Sequence, residues 1–228
     1  MRLLTRSDFD GLGCAALLIE RGVIDSVKFV HPKDIQDGKV EVTVDDVLAN
    51  VPYVDGCGLW FDHHSSEEER NACGAFEGVS DPSYPSTARA IFVYYGGEAE
   101  FDNVRLRELV AAVDKSDTAD MTAEEILHPE GWVLLSFILD PRTGLGRYRD
   151  YRISNYQLML DMMDYCRTMS PEQILQQPDV KERVERYSQQ QSVFVEMLRA
   201  NTTIRGNVIV LDLRDQEEIF TGNRFALY

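Results

Sequence analysis

The chain has 228 residues and a formal net charge of −16, and hydrophobic residues make up 44% of it. This composition is that of a globular protein with a core, and the acidity argues against long nucleic acids, which need a basic surface. There is no signal peptide after Met1, no apolar stretch long enough for a membrane helix, and no CxxC spacing among Cys14, Cys57, Cys73 and Cys166. We therefore expect a cytoplasmic protein with reduced thiols and no membrane association, and the oligomeric state is not predicted.

The first half of the chain alternates strand and helix patterns. Strands are predicted at 2–5, 27–32, within 40–53 and at 58–61, and helices at 11–21, 85–97 and 103–117. Ser86 is the predicted N-cap of the second helix, and Gly22 ends the first. Such alternation is typical of an α/β domain with a doubly wound, mainly parallel sheet, which we place at residues 1–150.

The pattern changes near Asn155. Residues 151–205 are predicted to be a helical linker with a capping box at Ser170–Gln173, and the methionines of 159–163 read as core filling. The apolar run at 207–213 predicts a strand, and 222–228 the start of a helix. We therefore expect 206–228 to begin a smaller, truncated second α/β domain, whose strand edges should be poorly covered.

Polar residues follow two of the predicted strands. Asp62, His63 and His64 close the apolar run at 59–61, and their burial there would need compensating partners, although a solvated turn explains them equally well. Asp8 and Asp10 follow the first strand and would project to the same side of an extended backbone. The alternative for Asp10 is a helix cap, which accounts for only one of these two aspartates.

The carboxyl ends of parallel strands line a common crevice, so these residues are predicted to meet there. Carboxylates with imidazole and no thiolate favour Mn²⁺, or alternatively Mg²⁺, over structural zinc. The acidic stretch at 114–120 could complete the set, although a solvated helix end is the commoner role of such residues.

The pairing of S-D-F-D-G at 7–11 with F-D-H-H at 61–64 resembles the DHH phosphoesterase superfamily, including its exopolyphosphatase-related and nano-RNA or pAp phosphatase-like members. The resemblance covers residues 1–120 and implies metal-assisted phosphoryl hydrolysis with one or two Mn²⁺ ions. It assigns metal binding to Asp8, Asp10, His63 and Asp117. Asp114 is the alternative to Asp117 in another alignment of the same motif. It also implies that Asp62 supports the two histidines and that His64 faces the scissile phosphate.

Two positions depart from that family pattern. Arg6 stands where a histidine is common, and Asn50 stands where an aspartate usually bridges two metals. An amide binds cations only weakly, so the sequence predicts either a metal-dependent phosphoesterase or, as the alternative, a non-catalytic phosphate-binding regulatory module with a degenerate metal site.

The segment at 140–152 concentrates arginines in an acidic chain. It is either a phosphate-binding loop or a solvated loop between domains. We predict that His64, Arg6, Arg142 and Arg147 contact the substrate, which is expected to be a short oligonucleotide, a nucleotide or an oligophosphate. His31 is predicted to lie at the rim of the crevice or in a turn.

Overall fold

A five-stranded sheet lies at the centre of the computed structural model, which describes residues 1–66, 75–219, 221–223 and 225. Its strands are β1 (Arg2–Thr5), β2 (Ser26–Phe29), β3 (Asp46–Ala49), β4 (Leu59–Asp62) and β5 (Gly78–Ser80). All four pairings are parallel, in the order β2-β1-β3-β4-β5. The carboxyl ends of β1, β3 and β4 therefore meet at one edge, where ligands bind in open sheets of this kind.

Helices surround this sheet on both faces. They are α1 (Phe9–Glu20), α2 (Pro32–Gln36), α3 (Thr87–Tyr94), α4 (Val104–Asp117), α5 (Ala123–Leu127), α6 (Gly131–Leu139), α7 (Asn155–Thr168), α8 (Pro171–Leu175) and α9 (Pro178–Asn201), with 3₁₀ turns at Gly97–Ala99, Pro141–Thr143 and Leu145–Arg147. The predicted doubly wound α/β fold is confirmed.

The apolar strands separate two cores. Phe61 points into the larger core with residues of α1, α3, α4, α6 and α7, whereas Trp60 points into a smaller one with Leu4, Leu48 and Ile35 of α2. Adjacent residues of β4 thus bury opposite faces, which explains why the run at 59–61 is apolar throughout.

Several elements differ from the sequence prediction, and the short helices α2 and α5 are among those that were not predicted. β2 ends at Phe29, because His31 caps α2 through its Nδ1, 3.1 Å from the amide of Lys33, with Pro32 as the first helical residue. The short strand β5 was not predicted. Helix α6 was also not predicted, because its sequence at 131–139 is almost continuously apolar and shows no helical period.

The predicted linker contributes to the larger core. Met159, Met162 and Met163 of α7 are buried in that core, as predicted, and Ser170 forms the expected capping box with Gln173 at the start of α8. In α9, Tyr187 and Phe194 lie on the buried face. The domain boundaries at 150 and 205 stay predictions.

The predicted strand at 207–213 forms a hairpin. Its strands β6 (Thr202–Arg205) and β7 (Val208–Leu211) pair antiparallel with each other, in a sheet separate from the central one. Ile204 and Ile209 are each 72% exposed, so the hairpin carries apolar side chains in solvent. The predicted helix at 222–228 falls mostly on residues outside the described part of the chain.

Membrane association and the state of the cysteines were also predicted from the sequence. In residues 1–66 and 75–219, no helix combines the length and the apolar composition that crossing a bilayer requires. Cys14, Cys57 and Cys166 are free thiols, and Cys73 lies outside the described residues. The cytoplasmic location stays a prediction.

Asp46, at the start of β3, anchors the end of the sheet at which β1 and β3 begin. It accepts hydrogen bonds from Arg2 Nε at 2.7 Å and Arg2 Nη2 at 3.0 Å, and from the amide of Thr43 at 2.8 Å. Burial disfavours its charge, but the hydrogen bonds from Arg2 and Thr43 outweigh burial and lower the pKa of Asp46. This carboxylate ties β1 to β3 at the end opposite the crevice.

We expect Asp46→Asn to lower the free energy of unfolding by about 2 kcal/mol at pH 7, because charged hydrogen bonds are lost from a buried group. The folded-state pKa lies below the ordinary value of about 3.9, so the contribution is complete above that value and is lost as the pH falls through the folded-state pKa. Urea unfolding of wild type and variant at pH 7 and pH 3 measures both effects. The exposed neighbour provides the control Asp45→Asn. A stability difference that is the same at both pH values would contradict this account.

Candidate active site

Asp8 and Asp10 lie at the start of α1, immediately after β1. Asp8 is the N-cap and accepts a hydrogen bond from the amide of Gly11 at 2.9 Å. Asp10 lies in the first turn of α1. The two carboxylates therefore do not both project from extended backbone, contrary to the sequence prediction. The N-cap of α1 is Asp8, so the alternative of a helix cap holds for Asp8 and not for Asp10.

Asp10 is buried against the start of a neighbouring helix. Its carboxylate accepts hydrogen bonds from the amides of Thr87 at 3.1 Å and Ala88 at 2.8 Å, the first residues of α3. A helix N-terminus favours negative charge. Burial nevertheless raises the pKa of Asp10 to about 7, with further increases from the charges of Asp117 and Asp8.

His63 follows β4 and faces two carboxylates. Its Nε2 lies 2.9 Å from Oδ2 of Asp117 and 3.9 Å from Oδ2 of Asp10. Burial opposes protonation, but these carboxylates raise the pKa of His63 to about 9. The Nδ1 atom lies 3.3 Å from the carbonyl oxygen of Tyr84; a carbonyl only accepts, so Nδ1 is the donor and Nε2 faces the carboxylates.

His64 is oriented by Asp62. The Nδ1 of His64 lies 2.8 Å from the buried Oδ1 of Asp62, and this hydrogen bond raises the pKa of His64. The imidazole is 41% exposed and lines a cavity together with Arg6 and Asn50. Asp62 thus supports His64, which can present a protonated ring to an anion.

Of the two candidate aspartates of α4, only Asp117 joins the cluster. Asp114 accepts hydrogen bonds from Ser86 Oγ at 2.7 Å and from Arg89 Nε at 2.7 Å, so its oxygens are occupied by α3. Asp117 is one turn of helix further on, with its side chain 37% exposed.

Asn50 follows β3 and contacts Asp8. Its Nδ2 donates to Oδ1 of Asp8 at 3.0 Å, while its own Oδ1 is buried without a hydrogen bond. Its φ of 57° is left-handed, a conformation that asparagine adopts more readily than most residues. The other oxygen of Asp8 lies 3.1 Å from Nε of Arg6. Asp8 is therefore held by protein donors on both oxygens.

The predicted arginines lie in different surroundings. Arg142 lines a cleft with Asp8, Asp10 and Asp117, and its Nε donates to Asp140 at 2.8 Å. Arg147 instead pairs with Glu218 and lies over the ring of Tyr148, at 5.9 Å from its centroid. The substrate contact predicted for Arg147 stays a prediction.

The residues present fit a divalent cation. Ligand atoms of Asp10, His63 and Asp117 all lie within 4.8 Å of one another. The Nε2 of His63 is buried and lies 2.9 Å from Oδ2 of Asp117, so a cation could take the place of the proton between them. Two carboxylates and one imidazole, without thiolate, suit a hard or borderline divalent ion. The structure thus brings together three of the predicted ligands, and Asp8 lines the same cleft without joining them.

Sequence reasoning missed two backbone contributions. The carbonyl of Tyr84 orients His63, and the amides of Thr87 and Ala88 hold Asp10. The first has no side-chain pattern that could reveal it. The second could have been found from the predicted Ser86 cap, because a capped helix start presents free amides to an anion.

Comparison with known proteins places these residues in context. No protein-family model and no curated protein matches the chain. Among solved structures, the chain is similar to the pGpG-specific phosphodiesterase PggH from Vibrio cholerae, with 45% sequence identity and a TM-score of 0.88, covering 100% of this chain and 73% of that one. This finding corrects the predicted DHH superfamily membership, including its exopolyphosphatase connection. That prediction rested on two short motifs, whereas the similarity to PggH extends over the whole chain.

The similarity to PggH confirms the predicted hydrolase class. It favours an enzyme over the non-catalytic alternative. The three-residue cluster supports a divalent metal without identifying it. With this identity and coverage, the chain belongs to the family of the pGpG-specific phosphodiesterase PggH.

Proposed function

We propose that this chain is a Mn²⁺-dependent phosphodiesterase that hydrolyses short linear dinucleotides of the pGpG class. The observation that carries the proposal is the cluster of Asp10, His63 and Asp117, whose ligand atoms all lie within 4.8 Å of one another. The substrate class is taken from the name of PggH.

A divalent ion would be held by Asp10, His63 and Asp117, and would supply Lewis-acid activation and charge neutralisation at the phosphate. The chain's own residues prepare that site. The α3 amides fix Asp10, and the carbonyl of Tyr84 orients His63 so that its Nε2 faces the carboxylates of Asp10 and Asp117.

His64 is proposed to bind the reacting phosphodiester. Asp62 holds its ring and favours its protonated form, so the imidazole can donate a hydrogen bond to a phosphate oxygen or to the leaving oxygen. Arg142 adds a fixed positive charge to the cleft that contains Asp8 and Asp117. These two positively charged side chains reduce the electrostatic repulsion between the acidic site and its anionic substrate.

Asp8 is proposed to be a second, weaker metal contact. Both of its oxygens already accept from protein donors, Asn50 on one side and Arg6 on the other. A cation would have to displace one of these donors. We therefore propose one firmly bound ion, with a second binding weakly or only with substrate.

The first test is hydrolysis. Wild type with Mn²⁺ should convert pGpG to GMP, and Asp117→Asn should lower kcat/KM at least about 100-fold, because a ligand of the metal loses its charge. The Mn²⁺ affinity measured by calorimetry should fall in parallel. Asp120→Asn removes an exposed carboxylate three residues away and is the matched control. Undiminished activity in Asp117→Asn would rule out the proposed site, and dinucleotide binding without cleavage by wild type would favour the regulatory module.

A second test addresses the number of ions. Asn50→Asp replaces a donor to Asp8 by a carboxylate, and aspartate tolerates the same left-handed backbone. Two carboxylates at this separation repel each other unless a cation lies between them. The variant should therefore melt at a lower temperature than wild type without metal, and bind two Mn²⁺ ions tightly where wild type binds one.

Calorimetric titration and thermal melting, each with and without Mn²⁺, measure these changes in parallel. Asn103→Asp, at the N-cap of α4, is a control for adding an acidic charge outside the cleft. If wild type binds two ions tightly and Asn50→Asp leaves the stoichiometry unchanged, Asn50 does not limit the second site.

A further inference from the structure

A groove of about 540 Å³ opens beside Asp8, on the β2 side of the metal cluster. It is lined by residues that follow β1 and β2, by the 3₁₀ turn after α6 and by the first turn of α7. Asp8 and Arg142 line both this groove and the cleft that contains Asp10 and Asp117. The groove therefore adjoins the candidate active site, and its volume lies in the range of small-molecule sites.

An aromatic pair forms part of its wall. The rings of Phe29 and Tyr156 meet edge to face, with centroids 5.7 Å apart at an angle of 84°. Tyr156 is 49% exposed, whereas most of Phe29 is covered. The edge contact holds the tyrosine ring in place and leaves much of its surface to solvent. Such a ring is a platform on which a nucleobase can stack.

The charged groups of the groove wall are the guanidinium groups of Arg6 and Arg142 and the carboxylate of Asp8, so positive charge exceeds negative charge there in a chain of net charge −16. Arg142 is oriented by Asp140 through its Nε, and its side chain is 55% exposed. Arg6 lies 3.1 Å from Asp8 through its Nε. Guanidinium groups suit phosphate oxygens, so this wall fits the backbone of a nucleotide.

His31 supplies a polar group on the same wall. Its Nδ1 accepts from the amide of Lys33 at 3.1 Å, so Nε2 is the ring nitrogen that carries the proton in the neutral form. An imidazole N–H can donate to an acceptor on the edge of a base. The groove thus combines a stacking surface, a hydrogen-bond donor and phosphate-binding cations.

We infer that this groove binds one nucleotide of the dinucleotide substrate, with its base stacked on Tyr156 and its phosphate near Arg142. The inference rests on the proposed function and adds to it a specificity subsite made by β2, α2 and α7. It makes a nucleotide next to the scissile phosphodiester a structural requirement, because that nucleotide occupies the groove while the phosphodiester lies at the cluster.

The test combines a protein variant with a substrate variant. Tyr156→Ala should weaken pGpG binding about tenfold in calorimetry and raise KM by a similar factor, since stacking on one base is lost. Two abasic analogues of pGpG, each lacking one guanine, identify the base concerned. Wild type should bind one analogue about tenfold more weakly than pGpG, and Tyr156→Ala should bind that analogue no more weakly than wild type does.

Tyr156→Phe keeps the ring and should recover most of the affinity for pGpG. Tyr94→Ala removes an exposed tyrosine outside the groove and serves as the control, with thermal melting of every variant to verify folding. Equal affinities of wild type and Tyr156→Ala for pGpG would overturn the inference. It would also be overturned if the losses of binding free energy caused by Tyr156→Ala and by the missing base were additive.

The two proposals fail in different ways. If wild type binds pGpG with this pattern but does not cleave it with Mn²⁺, the subsite stands and the proposed function is wrong. If wild type cleaves pGpG and Tyr156→Ala cleaves it with an unchanged KM, the function stands and the subsite is wrong. Absence of pGpG binding by wild type would overturn both.

Discussion

The contact between the Asp10 carboxylate and the amides of Thr87 and Ala88 determines the geometry of the candidate active site. It joins a residue of α1 to the N-terminus of α3, and α4 must approach both helices for Asp117 to reach His63. Gly13 allows that approach, because a Cβ at this position would lie 3.0 Å from Ala88 and 3.1 Å from a methyl group of Val113. Close packing of three helices in the core therefore sets the spacing of the ligands at the surface.

The charges of the site are costly without a cation. Three carboxylates, those of Asp8, Asp10 and Asp117, lie near one another, and burial with mutual repulsion raises the pKa values of Asp8 and Asp10. His63 compensates in part as an imidazolium. A divalent ion would replace that proton and neutralise more charge in the same space. Carboxylates whose pKa values are raised by burial and by one another in a cleft mark a candidate functional site.

Much of this architecture could be predicted from the sequence, because its signals are local. The apolar strands, the Ser86 and Ser170 caps and the polar residues after β1 and β4 follow from neighbouring residues alone. Asp117 could not be separated from Asp114, since the choice depends on Arg89 and Ser86 of another helix occupying Asp114. The family assignment failed for a related reason, because two short motifs carry less information than similarity over a whole chain. The β6–β7 hairpin, likewise, depends on a pairing that only the fold decides.

The separation of the proposed catalytic cluster from the proposed recognition groove follows from the strand order. The cluster is built after β1 and β4 and at the end of α4, whereas the aromatic groove is built after β2 and at the start of α7. Asp8 lies between them and is held by Asn50 on the β3 side and by Arg6 within its own loop. β2 is an edge strand, and His31, two residues after it, is exposed, whereas Phe29 packs against the larger core. The proposed recognition groove therefore lies toward the edge of the sheet, whereas helix packing at its centre fixes the arrangement of the proposed metal ligands.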